Sequence, residues 1–154
     1  MRRLLFSLIG VPMMLSAILG VLDVFPYGDM SFIANGEVIE ITDEQKADIQ
    51  EEFLKYIENA YDTPALGVTF PELYDKMIKD GYFLNFKFDG YYEFNGLGFN
   101  ELTIKVEEDG YGFNIYRGID GKFQGRCFYI NTENSSKDLY KVLNDILSSS
   151  GQEI

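Results

Sequence analysis

Between Tyr82 and Ile130 the chain alternates apolar and polar residues. Four Asx-Gly pairs punctuate the stretch: Asp89-Gly90, Asn95-Gly96, Asp109-Gly110 and Asp120-Gly121. These pairs accept the left-handed backbone that tight hairpin turns demand, so they mark antiparallel pairing more strongly than any other short signal. The runs they separate read YFLNFKF, YYEFN, ELTIKVEE, YGFNIYR and KFQGRCFYI. Leu84, Phe86 and Phe88 share one parity, as do Leu102, Ile104 and Val106, and then Tyr111, Phe113 and Ile115. Successive strand side chains point to opposite faces, so one face of an antiparallel meander is expected to be buried and the other wet. Fourteen of the 24 aromatic residues lie here, enough to build the core on this sheet.

The opposite parity defines the wet face: Asn85, Lys87, Tyr91, Thr103, Lys105, Asn114, Tyr116, Gln124, Arg126 and Phe128. Three cations and three aromatics on an otherwise acidic body suit a recognition patch. Lys87, Tyr91, Lys105, Tyr116, Arg126 and Phe128 are therefore the candidate partner-binding residues. A slip of one residue in any strand would invert its assignment.

Helices flank the meander. Thr42 and Gln45 form a capping box ahead of a stripe running Ile49, Phe53, Ile57 and Ala60. Thr69 and Glu72 repeat the box, with Pro71 in the first turn and Leu73–Met77 and Tyr74–Ile78 at i,i+4 spacing. Gly81 is expected just beyond that helix. At the C-terminus Ser135 or Ser136 caps a helix carrying Leu139, Val142, Leu143, Ile146 and Leu147 on one side. A short strand is expected in EVIEIT, residues 37–42, and DTPALG reads as a break. The expected fold class is α+β. It comprises an antiparallel meander of four to five strands, two helices before it and one C-terminal helix packed on one face, plus an N-terminal hydrophobic helix.

That N-terminal helix sets the compartment. Leu4–Leu22 are 19 residues without a charge, preceded by Arg2 and Arg3. As a helix they span roughly 28 Å, close to the hydrocarbon thickness of a bilayer. Cleaved leaders carry a shorter apolar stretch followed by a small-x-small cut site, and that pattern is poor here: Gly20 has Ile18 two places before it and Ser16 has Met14. Arg2 and Arg3 keep its start in the cytoplasm and send the body across. The expected organisation is a signal anchor or signal peptide at 1–22, a linker at 23–36, one α+β domain at 37–148 and a flexible tail at 149–154. The domain is expected to be membrane-anchored outside the cytoplasm, or secreted if the leader is cut.

Charge and composition narrow the function. Beyond residue 22 the chain holds 11 basic and 25 acidic residues, a net of −14. Such a body repels phosphate backbones, so no nucleic-acid partner is expected. Without histidine and with one cysteine, neither a His/Cys zinc site nor a thiol–imidazole pair can be assembled. Cys127, inside RCFYI, reads as a small core residue. No cofactor, metal site or catalytic residue is expected. The leading expectation is a non-enzymatic, membrane-tethered domain, held at residues 4–22, that recognises a protein or cell-envelope component. The alternatives are a small exported carboxylate enzyme acting on carbohydrate, and an accessory subunit of a membrane complex.

Overall fold

The computed structural model describes residues 21–150, apart from 59, 69 and 95. The expected leader helix over 1–20, the capping residue Thr69 and the end of the tail at 151–154 lie outside the described residues. Among the described residues no helix is long and apolar enough to cross a membrane. The fold is α+β. A 3-10 turn, Val21–Tyr27, leads into strand β1 (Asp29–Ala34) and strand β2 (Glu37–Ile39). Helix α1 (Asp43–Glu58), strand β3 (Tyr61–Val68) and helix α2 (Pro71–Met77) follow. Then come β4 (Tyr82–Phe94), β5 (Leu97–Val106), β6 (Gly112–Ile119), β7 (Lys122–Asn131) and helix α3 (Lys137–Ser149).

The seven strands form one sheet in the order β2-β1-β4-β5-β6-β7-β3, antiparallel at every junction. The expected meander is its centre, β4 to β7, and two segments read as non-strand extend it. Residues 23–36, expected as a linker, contain β1, which pairs along β4 from Asp29–Lys87 to Ala34–Tyr82. Asn35 and Gly36, at φ 52° and 89°, make the tight turn into β2. The DTPALG break lies within β3, which closes the other edge against β7. The expected Asp89-Gly90 turn is absent. YFLNFKF and YYEFN are one strand, and residues 88–91 bulge opposite Asn100, where the β4–β5 register shifts. A bulge absorbs Asx-Gly as readily as a turn does, because both interrupt the ladder.

The parity-defined core is present on one face. Tyr82, Leu84, Phe86, Leu102, Ile104, Val106, Phe113 and Ile115 are buried. α1 lies over them with Phe53 against Phe86 at 5.3 Å and Phe113 at 5.6 Å between ring centroids. The capping box closes as expected: Gln45 N–H donates to Thr42 Oγ1 at 3.1 Å, and Thr42 N–H to Gln45 Oε1 at 2.9 Å. α3 covers the same face through Leu139, Leu143, Ile146 and Leu147, and its Tyr140 stacks on Tyr82. Ser136 precedes α3 but gives it no side-chain cap. Its hydroxyl donates instead to Glu107 O at 2.6 Å and accepts from Gly110 N–H at 3.1 Å, pinning the β5–β6 turn. Tyr56 Oη takes the Leu139 N–H in its place. Val24 and Phe25 join this core, with Phe25 wedged between Phe53 and Phe86. Tyr111, assigned to the buried set by parity, is exposed because it precedes β6 in the turn.

The helices do not all share one face. α1 and α3 do, but α2 crosses the other. There Tyr74 stacks on Phe123 at 4.2 Å, nearly coplanar, and leans on Tyr116 at 5.4 Å. The second face is therefore partly dry. Phe83, Asn85, Thr103, Tyr116 and Cys127 on it are buried.

Candidate functional site

The six residues selected by parity do not form one patch. Lys87, Lys105 and Tyr116 share the α2 face, as their pairing with Asp29, Phe83 and Thr103 requires. Lys87 is exposed. Lys105 is half-buried, its Nζ 5.9 Å from the Phe83 ring centroid and 3.7 Å from Glu107 Oε1. Tyr91 is exposed in the β4 bulge, where its hydroxyl donates to Asp120 Oδ1 at 2.6 Å. Asn100 holds that carboxylate from a second side, and the two hydrogen bonds pull the Asp120 pKa down. The backbone of Arg126 lies on β7 opposite Val68, and its side chain lies outside the described residues.

Two assignments are corrected. Phe128 is not exposed. It pairs with Ile115, so it faces the α1/α3 core and is 2% accessible. β7 alternates with the parity opposite to the expected one: Phe123 and Cys127 share the α2 face, while Phe128 and Ile130 are in the core. In RCFYI four consecutive residues are apolar, so parity could not be read from sequence there. Tyr116 does stand on the predicted face but is 7% accessible, because α2 covers it.

What the α2 face holds is a cavity of about 130 Å³ between α2 and strands β5 to β7. It is lined by the rings of Tyr74, Tyr116 and Phe123 and by the polar residues Glu101, Thr103, Asp75, Arg117 and Lys122. A short ladder of hydrogen bonds orients Glu101 and Thr103. Asn85 Nδ2 donates to Glu101 Oε2 at 2.6 Å and to Thr103 Oγ1 at 2.8 Å. Both amide hydrogens are thus committed, which places the carboxylate and the hydroxyl side by side. Thr103 in turn hydrogen-bonds the Tyr74 phenol. Opposite Glu101 stands Gly118, where a Cβ would lie 3.2 Å from Glu101 Oε1. Glycine at 118 makes the room that the carboxylate occupies.

Burial sets the protonation of the two phenols. It raises the Tyr74 pKa, with Glu101 and Asp75 adding to the effect against the Thr103 hydrogen bond. It pushes Tyr116 up to about 12, with help from Cys127, Glu107 and Tyr74. Both are neutral hydroxyls at ordinary pH, because desolvation disfavours the phenolate.

α2 lines this cavity with Tyr74 and Asp75 and carries exposed apolar residues elsewhere. α2 buries none of its residues, and Phe70 and Leu73 are 64% and 56% accessible. Phe70 is also the N-cap residue, and its carbonyl takes the N–H groups of Leu73 and Tyr74. Tyr74, Glu101 and Phe123 were not singled out from the sequence. The one available signal was the apolar pattern of α2, where Tyr74 and Ile78 fall on a different side from Leu73 and Met77. Among the described residues no group of three or more acidic or cysteine side chains is placed to hold a metal ion. Comparison of this chain with family models, with curated proteins and with solved structures returned no match.

Proposed function

We propose that this chain is a membrane-tethered domain, held outside the cytoplasm by residues 4–22, that binds a protein or cell-envelope component without catalysing a reaction. The recognition surface is the α2 face of the sheet. The observation that carries this reading is the cavity lined by Tyr74, Tyr116 and Phe123 under α2, with Leu73 exposed on that helix and Phe70 exposed at its N-cap. Large apolar side chains held in water on the helix that covers a polar recess match the make-up of binding sites, in which apolar walls carry a few convergent polar groups. Of the six parity-defined residues, Lys87, Lys105 and Tyr116 lie on this face of the sheet and Phe128 does not.

The test uses full-length chain in the membranes of the cells that make it. The tether predicts that salt and alkaline carbonate leave the protein in the pellet and that detergent releases it. Release by salt alone removes the tether. A mature N-terminus beginning beyond residue 22 replaces it with secretion. A photocrosslinker at Leu73 is expected to give a discrete adduct that Phe70→Glu abolishes. The same crosslinker at Lys141, exposed on α3, gives none. Equal adducts from both positions refute the assigned face.

A further inference from the structure

We infer that the cavity under α2 takes an organic ammonium group, and so that the partner presents an amine there. The inference rests on the reading of this face as a binding surface and adds the chemistry of what enters it. Three aromatic rings, Tyr74, Tyr116 and Phe123, line it together with the Glu101 carboxylate, Tyr74 and Phe123 stacked with one face of each against the other. Ring faces carry negative charge density and attract cations, most strongly where water is thinned. A carboxylate beside them supplies the countercharge and an acceptor for N–H.

The hydrogen-bond ladder leaves the carboxylate arranged for this. Asn85 engages Glu101 Oε2, while Oε1 lies over Gly118 within the cavity wall. Thr103 Oγ1 already accepts from Asn85 and hydrogen-bonds Tyr74, so the hydroxyls of the site are aligned before any ligand arrives. Preorganised acceptors lose less on binding than ones that must be ordered first.

The charged residues lining the cavity balance, Glu101 and Asp75 against Arg117 and Lys122, so the bias towards a cation comes from the acidic body around it. That body carries a net of −14. Neither basic residue makes an anion site. Arg117 turns its guanidinium to the Gly98 carbonyl, and Lys122 is exposed at the start of β7. Size agrees too. About 130 Å³ is too small for a drug-sized ligand but is ample for an alkylammonium head.

The experiment titrates full-length chain in maltoside micelles with choline, with n-butylammonium, and with the neutral tert-butyl isostere of choline, all at constant ionic strength. The readout is the NMR ring signals of Tyr74 and Tyr116. The chain has no tryptophan, so tyrosine fluorescence gives a second readout. The two ammonium probes are expected to saturate these signals, with affinity at least about tenfold above the neutral isostere, as a cation–ring and carboxylate contact requires. Glu101→Gln keeps an acceptor for Asn85 and removes the charge. It is expected to weaken the ammonium probes about tenfold while the melting temperature stays within a few degrees. Preference for butylammonium over choline assigns a primary amine, and the reverse assigns a quaternary one.

Equal binding of the neutral isostere, binding unchanged in Glu101→Gln, or no saturation by either cation overturns the inference. Crosslinking at Leu73 that persists while the cations fail to bind refutes the ammonium assignment and leaves the binding face standing. Cation binding without any Leu73 adduct refutes the partner contact instead.

Discussion

Replacing Tyr74 by alanine should release α2 and leave the rest of the domain folded. α2 has seven residues and buries none of them, so its attachment depends on the Tyr74 ring. Helices this short are unstable alone in water. Tyr74 stacks on Phe123 at 4.2 Å and contacts Tyr116 at 5.4 Å, and its hydroxyl is bonded to Thr103. Two aromatic contacts contribute about 0.5–1.5 kcal/mol each, so the ring holds the helix by about 1–3 kcal/mol. Losing that should speed amide exchange in α2 by about tenfold to a hundredfold, bringing it near the rate of an open chain. The amide to follow is Ile78 N–H, which donates to Tyr74 O at 3.0 Å. The amides of Leu84 and Ile104, in the fully buried core, should stay protected by orders of magnitude beyond it. Tyr74→Phe keeps both ring contacts and loses one hydrogen bond, so it should cost about 1 kcal/mol and leave α2 docked. Native-state hydrogen exchange read by NMR decides the matter. Ile78 protection unchanged in Tyr74→Ala would show that another contact holds the helix. Loss of protection in Leu84 and Ile104 to the same final rate would show that α2 and the sheet unfold as one unit.

Three further predictions follow from the same geometry. A Cβ at Gly112 would lie 2.5 Å from the Ile130 carbonyl and closer still to the Tyr129 hydroxyl, whereas one at Gly90 meets nothing within 4 Å. Gly112→Ala should thus cost about 2–3 kcal/mol in urea denaturation and Gly90→Ala no more than about 0.5 kcal/mol; equal midpoints would refute the packing described for β6 and β7. Ser136→Ala removes the hydroxyl that bridges Glu107 O and Gly110 N–H in a buried site, so it should destabilise by about 1–3 kcal/mol, seen as a lower melting temperature. Tyr116, surrounded by Tyr74, Cys127 and Glu107, has a folded pKa of about 12 against 10.0 unfolded. Its contribution is whole below pH 10 and is lost as pH climbs towards 12, because the unfolded chain releases its proton first. Tyr116→Phe should flatten that alkaline fall in stability, and a slope identical to that of the parent chain would show that the phenol is not responsible.

The central strands were legible because two signals agree there. Alternation gives Leu84, Phe86, Leu102, Ile104, Phe113 and Ile115 one face, and those residues are the core. The capping box at Thr42 and Gln45 was equally readable, since it needs only residues three apart. What stayed hidden depends on distant pairing. β1 and β3 are strands because β4 and β7 offer them edges, and local residue preferences in DMSFIA and DTPALG do not state that. The α2 face stayed hidden for the same reason. A strand residue opposite the core reads as wet until something covers it, and Asn85, Thr103 and Tyr116 are covered by a helix contributed from before the meander. Phe128 differs from its expected face by one residue of parity, because the apolar run Cys127–Ile130 has no alternation to say which residues face the core.

The start of the described chain bears on how the proposed tether would act. Phe25 is buried against Phe53 and Phe86, only three residues past Leu22, where the uncharged stretch ends. Three residues reach at most about 10 Å. A bilayer-spanning 4–22 segment would therefore hold the domain against the membrane surface, with no free linker over 23–36. The end of the sheet nearest that point is set by Asp29, which pairs with Lys87, and β4 continues past it through Tyr91 towards Gly96. Tyr27 and Tyr91, both exposed, stand at that same end. Tyrosines suit the membrane–water boundary, since the ring tolerates the headgroup layer while the hydroxyl stays hydrated. The orientation of the α2 face towards a neighbouring membrane component would then follow from the rigid entry of the chain at Phe25, and a flexible insert placed between residues 22 and 24 should loosen partner crosslinking at Leu73 without altering the fold.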